Sequence, residues 1–65
     1  KPWQFTDFYH VETSLGTFVV SMATARHVQH RRRACSDLEW IDFHDLSGAR
    51  HSVQARHITR ITASN

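Results

Sequence analysis

Gly16 and Gly48 are the only glycines in the chain, and each interrupts a run of aromatic and β-branched residues. Glycine adopts positive φ without a Cβ clash, so a lone glycine in such a run marks a tight reversal of the chain. Phe8-Tyr9-His10-Val11-Glu12-Thr13 and Thr17-Phe18-Val19-Val20 flank Ser14-Leu15-Gly16. Trp40-Ile41-Asp42-Phe43-His44-Asp45 and Arg50-His51-Ser52-Val53 flank Leu46-Ser47-Gly48-Ala49 in the same manner. Both read as β-hairpins. Alternation puts Ile41 and Phe43 on one face of the second hairpin and Trp40, Asp42 and His44 on the other. A turn over Gln54 to His57 leads to a last short strand, Ile58-Thr59-Arg60-Ile61-Thr62. The hairpins share a weak internal repeat: an aromatic run, a glycine turn and a short strand, ending in Ser21-Met22-Ala23 and Gln54-Ala55-Arg56.

Between the hairpins, Ser21 to Cys35 holds neither glycine nor proline, which predicts a helix with Ser21 as its N-cap. Its arginines cluster toward the C-terminal half, where cations favour the helix dipole. At about 100° per residue, Ala25, Val28 and Cys35 share a narrow apolar face. Arg26, His27, His30, Arg31 and Arg33 spread over the opposite arc. Arg32 falls on the apolar side, so it must snorkel over the sheet edge, or the helix must loosen before it. The predicted fold is α+β in the order ββαββ(β). It is one small antiparallel sheet of four or five strands with one helix packed across it, spanning residues 8–65 after an N-terminal arm of residues 1–7.

A chain of 65 residues buries only about 60% of its unfolded surface, so one thin core layer is expected. Phe8, Phe18, Ile41 and Phe43 are the candidate core. Cys35 is the single cysteine, which excludes an internal disulfide and fits a reducing compartment such as the cytoplasm. No segment approaches the roughly 18 apolar residues of a transmembrane helix, and Lys1-Pro2-Trp3-Gln4-Phe5 leads into no apolar signal run. A soluble, non-membrane chain is expected. The opening Lys, where Met is expected, points to a chain shortened at its start.

The net charge of +2 is unevenly spread. From Ser14 to Ser36 there are four arginines and no acid; from Asp37 to Asp45 there are four acids and no Lys or Arg; Arg50, Arg56 and Arg60 follow without an acid. Guanidinium forks match phosphate geometry, so the helix is expected to contact an anionic partner, best matched by nucleic acid, through Arg26, His27, His30, Arg31 and Arg33. Trp3 and Trp40 exceed what the thin core needs and are candidate interface residues. The alternative class is a structural or assembly protein, joined to itself or to a protein partner through Trp3, Trp40 and the sheet edges.

No catalytic residue, cofactor or metal is expected. His27 with His30, and His44 with His51 across the second hairpin, supply pairs where zinc needs three or four convergent ligands. Cys35 lies at the C-terminal end of the helix, where the dipole opposes thiolate formation, and is read as a packed structural thiol. Asp42, His44 and Asp45 could form an acid–base group, but a hairpin offers them little pocket. The expected class is a non-enzymatic binding module.

Overall fold

A computed structural model describes residues 8–63, so the arm of residues 1–7, with Trp3, lies outside the described residues. The chain runs β1 (Phe8–Thr13), β2 (Gly16–Ser21), α1 (Met22–Ala34), β3 (Trp40–His44), β4 (Arg50–Gln54), a 3₁₀ turn (Ala55–His57) and β5 (Ile58–Ala63). It is a small α+β domain with one helix packed on antiparallel strands, as expected.

Both reversals fall where glycine stands. Ser14 and Leu15 keep negative φ, and the positive angle falls on Gly16 at 139°; in the second hairpin it falls on Gly48 at 90°. Thr13 fixes the first turn: its hydroxyl donates to Gly16 O at 2.7 Å and accepts from Leu15 N at 3.1 Å. Ser21 caps α1, accepting from Thr24 N at 3.2 Å. Ser21→Ala should therefore lower unfolding free energy by about 1 kcal/mol in denaturant titration. Ser21→Asp should keep it, because the first turn holds no other acid. Equal losses in the two variants would show that the cap contributes nothing.

The five strands form two sheets instead of the single sheet expected. One has three strands in the order β2-β1-β5; the other is the β3–β4 hairpin alone. β5 returns antiparallel to β1, with a register shift between Glu12 and Thr13. The helix and the Cys35–Glu39 connection carry β3 away from the free edge of β2. Contact between the sheets is regained at the second turn, where Leu46 N donates to Val19 O at 2.9 Å.

The inward faces of all five strands, α1 and the 3₁₀ turn meet in one core of Val11, Val20, Ala25, Val28, Ile41, Phe43, Val53, Ala55 and Ile58. Tyr9, Phe18, Cys35 and Ile61 pack at its margin. Of the expected core aromatics, only Phe43 is buried. Phe18 meets it edge-on, with ring centroids 5.6 Å apart. Phe8 is exposed, because β1 turns Tyr9 and Val11 inward and its even-numbered residues outward.

Candidate nucleic-acid interface

α1 owes its place to two small apolar residues. Ala25 and Val28 are buried, with Thr24, Arg31 and Cys35 half-buried beside them. One turn apart on the far side, Arg26, His30 and Arg33 form a ridge at spacing i, i+4, i+7, and all three are exposed. His27 is exposed on its flank.

Arg31 stands apart from the rest of the predicted set. It is half-buried, and its Nη2 donates to Trp40 O at 3.3 Å, so this side chain ties the helix to the start of β3. Arg32 is exposed although the helix continues unbroken to Ala34. The wheel placed it inward; lying in the last turn, where α1 closes on Cys35 N donating to Arg31 O, it reaches solvent instead.

Four acids of the domain, Glu12, Glu39, Asp42 and Asp45, are committed elsewhere. Glu12 meets Arg60 at 3.5 Å, Glu39 accepts from Ser36 N at 3.1 Å, and Asp42 accepts from Ser52 Oγ at 2.5 Å. Asp45 accepts from Ser47 N, Ser47 Oγ, Ala49 N and His51. Among the described residues, none of Arg26, Arg32 and Arg33 is paired with a carboxylate. Arg26 and Arg33 on the ridge, with Arg32, are thus cations without a carboxylate partner among the described residues.

Trp40 is 59% exposed on the outer face of β3, with Leu38 at 62% just before it. Its cross-strand neighbour is Gln54, whose amide Nε2 donates to Leu38 O at 3.0 Å. No apolar side chain lies opposite the indole across the ladder.

His44 and His51 do not face one another. The register pairs His44 with Arg50 and Phe43 with His51, so the two imidazoles lie on opposite faces. His51 packs against Phe18, with centroids 4.3 Å apart, and against Phe43 at 5.6 Å. Its Nε2 lies 2.7 Å from Asp45 Oδ2 and donates, since an ionised carboxylate can only accept. The Ser47 hydroxyl above all, then His51 and the Ala49 and Ser47 amides, hold the Asp45 carboxyl well below the usual carboxylate range. Asp45 is therefore no proton acceptor near neutral pH, although it lines an open cleft of about 320 Å³ with Thr17, Phe18, Val19, Leu46 and Ser47. The sequence did not disclose this pair; the signal was the six-residue spacing around the Gly48 turn, which puts both side chains at one end of the hairpin.

Among the described residues no three His, Cys, Asp or Glu side chains converge as metal ligands, and no helix is long and apolar enough to cross a membrane. Comparison with family models, curated proteins and solved structures finds no match to this chain.

Proposed function

We propose that the chain is a non-enzymatic binding module whose helix α1 contacts the phosphate backbone of nucleic acid, in a reducing compartment such as the cytoplasm. The observation that supports it is that Arg26, Arg32 and Arg33 are exposed and, among the described residues, without a carboxylate partner, with His30 on the same ridge. Phosphate is the anion that planar guanidinium forks fit best. Each neutralised phosphate releases counterions and adds a salt-dependent increment of affinity. His27 and His30 supply further donors on the same face, whereas Arg31 holds β3 in place.

Arg26→Gln with Arg33→Gln should abolish retention on heparin and on nucleic acid at moderate salt while leaving the circular dichroism spectrum unchanged. The slope of log affinity against log salt should become shallower by about 0.7–0.9 for each phosphate that the variant no longer neutralises. Unchanged retention would remove the phosphate assignment.

A second class, self-assembly, is favoured by one observation: Trp40 and Leu38 are exposed beside a two-stranded sheet that has an open edge on each strand. If it holds, the melting midpoint rises with protein concentration across a hundredfold range, by mass action. A constant midpoint with a monomer mass throughout excludes it.

A further inference from the structure

We infer that the nucleic acid bound is single-stranded, with an unpaired base stacked on Trp40 while the backbone follows the arginines of α1; this rests on the phosphate-binding assignment above. The hydrogen bond from Arg31 Nη2 to Trp40 O, 3.3 Å, brings the third turn of the helix against the start of β3. The third turn of α1 therefore lies next to the residue that carries the most exposed aromatic ring of the described residues.

The outer face of the β3–β4 hairpin suits a base more than a protein. Trp40 is the one aromatic on it, opposite the amide of Gln54, which keeps Oε1 as an acceptor after its Nε2 bonds Leu38 O. At the far end Arg50 stands opposite His44. The acid between them, Asp42, is engaged by the Ser52 hydroxyl. Trp40 with Leu38 exposed beside it is a small apolar area against the roughly 800 Å² on each partner that a stable protein interface needs. An exposed ring on the residue whose carbonyl the helix binds instead matches the combination by which single strands are held: phosphates on cations and bases on aromatic faces. In a duplex the base faces are already stacked, so Trp40 would have nothing to accept.

The test is titration of a fluorescently labelled oligothymidine and of a duplex of equal length at one fixed salt concentration. Wild type, Trp40→Ala, Trp40→Phe and the Arg26→Gln with Arg33→Gln double variant are compared. Wild type should prefer the single strand. Trp40→Ala should lose about 5- to 100-fold on the single strand and nothing on the duplex, and Trp40→Phe should recover most of that loss. The arginine variant should weaken both probes.

Three results would overturn the inference: no preference of the wild type for the single strand, an unchanged single-strand affinity in Trp40→Ala, or an equal loss on both probes. If the arginine variant still weakens both, the phosphate assignment survives and the single-strand assignment falls. If the wild type binds neither probe, both fall. Should Trp40→Ala instead turn an assembly into a monomer with single-strand affinity unchanged, the occupant of this face is a second copy of the chain.

Discussion

Ile41→Ala is expected to lower stability by about 2–5 kcal/mol, enough to leave a chain of this size largely unfolded at 37 °C. Ile41 is fully buried and is among the largest such side chains in the core. It sits on β3, which packs against α1, so its removal opens a void where the second hairpin meets the helix. No disulfide is present to hold the elements together. For a domain this small each kcal/mol moves the midpoint by about 4–8 °C, so a drop of about 8 °C or more should be read by circular dichroism. The neighbouring change, Trp40→Ala, is the control, because the same strand turns that side chain to solvent. It should move the midpoint little. Equal losses at positions 40 and 41 would mean that the inward and outward faces of β3 are wrongly assigned.

The second large effect is expected at Asp45, under acid. Oδ1 accepts from Ser47 N at 2.9 Å, Ala49 N at 3.0 Å and Ser47 Oγ at 2.5 Å, and Oδ2 accepts from His51. This carboxylate organises the turn that also bonds β2 through Leu46 N. Because folding depresses its pKa, the ionised form stabilises the native state. That stabilisation is complete above the unfolded value of about 3.9 and is lost as pH falls through the lower folded value. Asp45→Asn should therefore melt below wild type from pH 7 to pH 5, and the gap should close as the solution is taken from pH 4 toward pH 2. Asp42→Asn, which loses the charged acceptor of one hydroxyl, should show a smaller gap. A gap for Asp45→Asn as wide at pH 2 as at pH 7 would show that the charge is not what holds the turn.

Much of the fold was legible because its determinants are local. The two glycines mark both reversals, and the β-branched runs beside them form strands with the predicted inward and outward sets in β3. The serine before a glycine-free, proline-free segment caps a helix that buries the predicted Ala25 and Val28. In the candidate site, the outward placement of Arg26, His27, His30 and Arg33 follows from helical periodicity alone, and the exposure of Trp40 follows from alternation along one strand.

Tertiary structure decided what periodicity does not reach. Whether two hairpins merge into one sheet depends on how far the intervening helix and connection displace them, and here that displacement leaves β3–β4 separate. Phe8 and Phe18 are equally apolar in sequence, but one strand turns Phe8 to solvent while the other brings Phe18 against Phe43. Arg31 and Arg33 are interchangeable as charges two residues apart. Only the position of β3, with the Trp40 carbonyl in reach, makes the first a strut and leaves the second free for a partner. The pairing of His51 with Asp45, not with His44, came from hairpin register, which one residue of slippage would have reversed. Sequence by itself determined the elements and their polar faces, because those depend on backbone geometry within a few residues. The assembled core alone decided which cations stayed unpaired, because pairing depends on distances between segments that only packing sets.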